Sequence, residues 1–491
     1  MRRILTESDT QLLAEGIYKV LEKLGFYCEN IEMLKAYANA GAIVDYETYT
    51  AKFPKTTIRH FIEELKAEDK GIWDKWITGH DKMVKNSGYI PYDESKGFKE
   101  PYIPYMFHNL STYYYDDELR ERRIGNKPDF IELIKFGDGF HPEMGMGHAL
   151  NLIKDVEAKI EPIEAALTLL EYSSNPTGVY VHDVEQIKYL EEIEDIFGIT
   201  DPHFHWMANI PCSSPLKLEK AVADRYVYML KSGLYPAKLT AMPISGVNIP
   251  VTAAGSIVIV AAEFIVLWLA ARMIQPKKIP LCGMPIVGTM DIKDGNISFT
   301  AFDAVRVRLG ICDLIKFMTG IQLAPGPGEW VPTKLPGLYN TMEKAYFAMI
   351  AAAYTGYHPD IGVGHLDLGL TISPVQLILE TDFTKGLSYL ERPLVDEASI
   401  GLDTILEIGF GKTENYLSKD HTLEYFKDVA WNPTFFPRGG WSPEIEKDAI
   451  DRAILRIKQL KAAYKKPEGR EEQLLKAHRV LSRAKEALCK H

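Results

Sequence analysis

Hydrophobic and polar positions change rhythm along the chain. Over the first 85 residues apolar positions recur every three to four residues, the spacing of a helix with one buried face. Asp9–Leu24, Ile31–Asn39 and Thr57–Glu68 follow that pattern, and Ser8 with Gln11 has the spacing of a capping box. Residues 86–129 are rich in glycine, proline and aromatic side chains, which predicts short strands or an ordered loop. From about 130 onward short apolar runs alternate with helical stretches. The strand candidates are Met146–Leu152, Gly178–His182, Phe204–Ile210, Ala237–Met242, Ile279–Gly283, Asp313–Met318 and Asp360–Gly364. Helices fit between them at Glu161–Tyr172, Val184–Phe197 and Leu216–Ser232, and an eighth strand fits near Thr404–Ile408. Alternating β and α implies a parallel sheet. Seven or eight such units fit a closed barrel better than an open sheet. The expected fold class is α/β, a TIM (β/α)8 barrel with a helical N-terminal extension and a helical C-terminal tail. Its parts divide as 1–129, a helical region with an aromatic loop; 130–441, the barrel; and 442–491, a charged helical extension.

One apolar run tests this reading. Val251–Ile274 is long enough to span a membrane, although Glu263 and Arg272 interrupt it. Gly246 and Pro250 before it and Pro276 after it are loop signals, and a short strand candidate follows at once. That order belongs to a βα repeat, so a buried helix is expected and no membrane partner.

Composition narrows the function classes. The chain is 46% hydrophobic and 25% charged, as globular proteins are. A net charge of −11 argues against a nucleic-acid partner, which needs a basic surface. Five cysteines form no CxxC, which excludes a disulfide framework and fits a reduced, cytoplasmic setting. The N-terminus lacks the apolar core of a signal peptide. A symmetric homo-oligomer is the default for a soluble enzyme.

A barrel carries its site on the loops after its strands. Here those loops hold Ser245, Gly246, Asn248, Met290, Asp291, Trp330, His365 and Asp367. They are rich in glycine, proline and apolar residues and poor in paired acids and bases. No GxSxG, HExxH, P-loop or GxGxxG occurs. Such loops suit a site that positions and dries a reactant while a cofactor supplies the reactivity. They suit an inactive barrel equally.

Five stretches, in order, resemble the trimethylamine methyltransferase superfamily. They are SSPLKL (213–218), MPISGVNIPVTAAGSIVIVAAEFIVLWLAARMIQP (242–276), TKLPGLYNTMEKA (333–345), GVGHLDLGLTISPVQLILETDF (362–383), and the end region from LSKDHTLEYF to FFPRGGW (417–441). The resemblance implies a TIM barrel that passes a methyl group from a methylamine to the Co(I) of a corrinoid protein. The archaeal trimethylamine enzymes of the superfamily carry pyrrolysine shortly before the motif that here reads TKLP. Matched on Lys334, that position is Trp330. The chain therefore resembles the members without pyrrolysine, such as glycine betaine:corrinoid methyltransferases. The donor is then a small quaternary amine, and cobalamin arrives on a cognate corrinoid protein rather than as a tightly bound cofactor.

Physical chemistry agrees with that donor. A quaternary ammonium already has a neutral tertiary amine as its leaving group, so the protein need only hold the cation and exclude water. An aromatic cage does so, at about 0.5–2 kcal/mol per ring. Trp330 is the leading ring, with Tyr102, Tyr105 and Phe107 as further candidates against a packing role. His365 is placed to donate to a betaine carboxylate or to sit satisfied in the core. Asp367 would fix its tautomer or cap a helix. The loops bearing Ser245, Gly246, Asn248, Met290 and Asp291 would face the corrinoid, with Asn248 able simply to shape a turn. Glu343 reads as a helix-surface or supporting residue. No metal is expected in the site. The alternatives are a barrel that binds quaternary amines without catalysis, and a methyltransferase for trimethylamine or another methylated donor. A methanol or methylthiol enzyme would use zinc, for which Cys282 and Cys312 are the nearest ligands, without a clear histidine motif.

Overall fold

The computed structural model describes residues 3–68, 110–142, 145–200, 204–206, 210–275, 277–326, 328–355, 363–389, 400–412, 414–429, 431, 433–435 and 442–489. The chain begins with α1 (Glu7–Lys23), β1 (Phe26–Cys28), α2 (Ile31–Asn39), β2 (Ile43–Asp45), β3 (Thr50–Lys52) and α3 (Lys55–Ala67). The capping box is Thr6 with Asp9, not Ser8 with Gln11: Thr6 Oγ1 accepts the Asp9 N–H at 3.2 Å, and Asp9 accepts the Thr6 N–H at 2.9 Å. Ser8 already lies inside the helix, so its hydroxyl is in the wrong place to cap. The β1 strand pairs antiparallel with β3 and, on its other edge, parallel with Lys217–Leu218.

A hairpin follows, β4 (Tyr113–Asp116) and β5 (Glu121–Ile124), and then α4 (Lys127–Phe140). This is the part of 86–129 that forms the expected short strands. The alternating region comes next, with α5 (Glu161–Tyr172), β6 (Val179–Tyr180), α6 (Ile187–Phe197), β7 (His205–Trp206), β8 (Ile210–Cys212), β9 (Lys217–Leu218) and α7 (Lys220–Ser232). It continues with β10 (Ala237–Ala241), β11 (Ile244–Ser245), α8 (Ala253–Ile274), β12 (Leu281–Pro285), β13 (Gly288–Met290), β14 (Ile297–Ser298) and α9 (Phe302–Thr319). It ends with α10 (Leu338–Thr355), β15 (His365–Leu366), β16 (Thr371–Ile372) and α11 (Pro374–Tyr389).

The strands β8, β10 and β12 lie side by side in parallel, and β6 pairs in parallel with β7. Every residue of β10 is buried, as expected for a parallel strand covered on both faces. The fold is thus mixed α/β with a parallel centre. Among the described residues the strands form five separate sheets, and no continuous ladder closes into a barrel. The described strands are only two to five residues long.

Three expected strands are corrected. Asp313–Met318 is the second half of α9; its apolar residues Ile311, Leu314, Ile315 and Met318 are buried at helical, not alternating, spacing. Thr404–Ile408 belongs to α12 (Leu402–Ile408). Met146–Leu152 supplies a single parallel bridge, between Leu150 and Ser111.

The long apolar run is α8. Its mean hydropathy of 2.3 would suit a membrane span by length and composition. Here it packs against α1, α2 and α9, with most of its side chains buried. Glu263 sits fully buried in its middle and accepts the Leu216 N–H at 2.8 Å and the Ser214 hydroxyl at 2.9 Å. The C-terminal segments are α12, α13 (Asp420–Val429), α14 (Ile445–Ala463) and α15 (Glu471–Leu488). The α14 helix packs on α4 and α11, and α15 on α5 and α6.

Candidate functional site

Loops that leave β10, β12, α9 and β15 converge on Trp330. Its indole is buried with Ile286 and Phe299 in a small apolar cluster, which Ile244, Met284, Ile297 and Leu368 flank. Phe299 presents an edge to it, with ring centroids 6.3 Å apart. The chain passes the indole in a left-handed turn: φ is +50° at Asp367, +60° at Leu368 and +84° at Gly369. A Cβ at Gly369 would stand 2.6 Å from the Trp330 Nε1, so only glycine leaves room for the ring. The Trp330 loop and this turn are bonded together. Leu368 N–H donates to the Val331 carbonyl at 2.9 Å, and Asp367 N–H to Thr333 at 2.8 Å.

His365 is fully buried on β15. Its Nδ1 lies 3.3 Å from Oε2 of Glu329, the residue just before Trp330. That is ion-pair distance without hydrogen-bond alignment, and among the described residues Nε2 has no hydrogen-bond partner. The acid beside His365 is therefore Glu329, not Asp367. Asp367 pairs instead with Arg122 of β5, whose guanidinium stacks 3.7 Å from the centre of the Tyr113 ring.

The other expected residues fall around this centre. Ser245 is buried, and its hydroxyl lies 2.9 Å from that of Ser256. Gly246 takes φ +86°, and Asn248 Oδ1 accepts the Ile244 N–H at 2.7 Å, so Asn248 shapes its own turn. Met290 ends β13, half-buried, and Asp291 forms the exposed turn to β14, where its carboxylate accepts the Lys293 N–H at 2.8 Å. Ile244 and Met284, from these same two loops, touch the Trp330 cluster. Tyr102, Tyr105 and Phe107 lie outside the described residues.

Several residues escaped the sequence reading. Phe299 precedes α9 with no pattern to mark it. Glu329 was visible as an acid in a glycine- and proline-rich loop. Arg308 is fully buried on α9, donates to the Val287 carbonyl at 3.1 Å and faces Phe299 at 5.8 Å; desolvation pulls its pKa down to about 9. Of the two places expected for Glu343, helix surface or supporting residue, the structure gives the second. Glu343 is buried and accepts the hydroxyls of Thr300 at 2.8 Å and Thr333 at 2.7 Å, tying two site loops together. Cys282 and Cys312 are buried, and desolvation pushes both thiols up to about 12. Among the described residues no group of three or more His, Cys, Asp or Glu is arranged around a metal position.

A family model described as trimethylamine methyltransferase (MTTB) matches residues 105–480. The chain is similar to the trimethylamine methyltransferase MttB of Methanosarcina thermophila, at 24% identity over 240 residues, 48% of each chain. The corresponding protein of Methanosarcina barkeri is 25% identical over 240 residues, 48% of this chain and 47% of that one. The alignable region thus spans about half the length of these relatives. A glycine betaine methyltransferase of Desulfitobacterium hafniense (strain Y51) is 20% identical over 482 residues, 94% of this chain and 93% of that one.

Proposed function

Because the chain belongs to the trimethylamine methyltransferase family, we propose that it moves a methyl group from a small quaternary, betaine-like amine to a corrinoid on a partner protein. The observation that carries this reading is Trp330: a buried aromatic ring, beside Phe299 and bonded by its loop to the His365 segment, at the position where pyrrolysine was expected of a trimethylamine enzyme. The near full-length similarity to a glycine betaine methyltransferase points the same way.

Each residue has a share in that reaction. Trp330 and Phe299 would offer ring faces that hold an ammonium and keep water from it. His365 would offer its Nε2 to a ligand carboxylate, with Glu329 beside its Nδ1. The corrinoid supplies the nucleophile. The amine leaves as a neutral tertiary amine, so the chain needs no proton donor to the leaving nitrogen. We read the in-order parallel strands as part of a (β/α)8 wall. The Ala324 N–H extends it beyond β12 by donating to Gly283 at 3.3 Å, and β16 continues it to β4. The cofactor is expected on the partner, and the setting is soluble and cytoplasmic. Exposed Leu406, Phe410 and Leu417 suit a homo-oligomer.

The test mixes purified protein, a reduced corrinoid and a panel of betaines, and follows corrinoid methylation by absorbance with the tertiary amine by mass. Turnover with a betaine and none with trimethylamine is expected. Failure with every quaternary amine would sink the substrate class. Ligand-induced thermal stabilisation without methylation would favour a binding protein.

A further inference from the structure

We infer that Lys344 and Glu380 are a positioning pair for His365, clamping the backbone on both sides of it. Lys344 lies on α10 and Glu380 on α11, and both side chains are almost wholly buried. The Lys344 ammonium donates to the His365 carbonyl at 2.6 Å and pairs directly with Glu380 Oε1. The other carboxylate oxygen of Glu380 accepts the Gly364 N–H at 3.0 Å. One ion pair thus grips the peptide group that follows the histidine and the Val363–Gly364 peptide group one residue before it. The chain is also pinned sterically at Gly364. It takes φ +77°, and a Cβ there would stand 2.6 Å from the Ser373 carbonyl.

Stability alone does not account for such a pair. Taking two charges out of water is costly, and well-packed apolar side chains of similar volume often replace a buried pair without loss. What the pair adds is a fixed backbone geometry. His365 needs it, because among the described residues neither ring nitrogen has a hydrogen-bond partner to orient the ring. The neighbouring residue on α10 does the same for the other half of the site, since Glu343 bonds Thr300 and Thr333. Consecutive positions on a helix point about 100° apart. The α10 helix therefore reaches the Trp330 loop with one residue and the His365 strand with the next.

The activity arm of the test rests on the proposed function; the imidazole arm does not. Full-length protein with 15N-labelled histidine is studied by NMR, His365 being assigned from His365→Gln. Three chains are compared: wild type, K344M/E380L, and the swapped K344E/E380K. The apolar pair is expected to keep the thermal midpoint within a few degrees. It should change the tautomer signals of His365. Betaine-dependent corrinoid methylation should fall about 10–100-fold, chiefly in kcat. The swap restores opposite charges but sets a carboxylate against the His365 carbonyl and an ammonium against the Gly364 N–H, so it should not rescue either readout. Wild-type His365 signals in either double variant would overturn the inference, as would rescue by the swap. If K344M/E380L does not fold, E380Q serves: it keeps the side-chain shape but weakens the pair, and an unchanged His365 spectrum in it overturns the inference too. A wild type that turns over no quaternary amine refutes the substrate class, while the NMR arm still decides the positioning role.

Discussion

Trp330 owes its position to an absence of atoms at Gly369. The left-handed turn there brings the backbone against the indole edge. In Gly369→Ala the added methyl must displace the ring, and a side chain in the left-handed region costs roughly 1–2 kcal/mol. We expect a lower urea midpoint, a shifted tryptophan emission and weaker betaine binding. Trp330→Phe keeps a ring without the indole. It should weaken a quaternary ammonium by about 0.5–2 kcal/mol in calorimetry and leave the fold intact. If a neutral isostere of the ligand weakened equally, the ring would be a packing element and not a cage.

Two acids make opposite demands on pH because different elements surround them. Glu263 is buried on α8, and desolvation pushes its pKa up to about 7, only partly offset by its bonds to Leu216 and Ser214. A raised pKa means the folded chain holds the proton more tightly than the unfolded one. Its contribution to stability is therefore present below about pH 4.5 and is lost as pH rises through 7. The full swing is on the order of 3 kcal/mol. Glu263→Gln should flatten that slope and be the more stable chain at pH 8 in urea titrations. Glu161, at the start of α5, is buried as well, which would raise its pKa. His148 and His182, at 2.8 and 3.3 Å, together with the Leu152 N–H, outweigh burial and bring it down to about 2. Its contribution is present above pH 4.5 and lost as pH falls toward 2. Glu161→Gln should destabilise the chain at neutral pH, with the deficit shrinking in acid. A deficit that stayed constant down to pH 2 would mean that packing, not charge, was lost.

At the scale of the whole molecule, the two C-terminal helices join parts of the chain that are distant in sequence. The α14 helix bridges α4 and α11, and α15 covers α5 and α6. Gly139 on α4 lets Leu460 approach so closely that a Cβ there would be 3.2 Å from the Leu460 carbonyl. Removing residues 442–491 would bare the faces that Ile457, Leu460, Val480 and Leu488 now cover. Such a truncated chain should melt at a lower temperature with a broader transition and bind a hydrophobic dye. A sharp, unshifted melting curve would show that these helices are ornaments on a finished core.

Helices were legible in the sequence because a buried stripe repeats every 3.6 residues over ten or more positions. Ile31–Asn39 and Glu161–Tyr172 match the expected limits residue for residue. The burial of the apolar run at α8 was legible too, from the loop signals around it. Trp330 and His365 stood out as candidate site residues after apolar runs. Strands of two or three residues leave no period to read, which is why Asp313–Met318 looked like a strand when it is a helix. Only the folded chain decided that Glu329, 36 positions away, faces His365 while nearby Asp367 turns to Arg122. It also decided that one helix, α10, braces both halves of the site. Sequence sets local rhythm; contacts between distant residues follow from how elements pack, and a single chain carries no local mark of them.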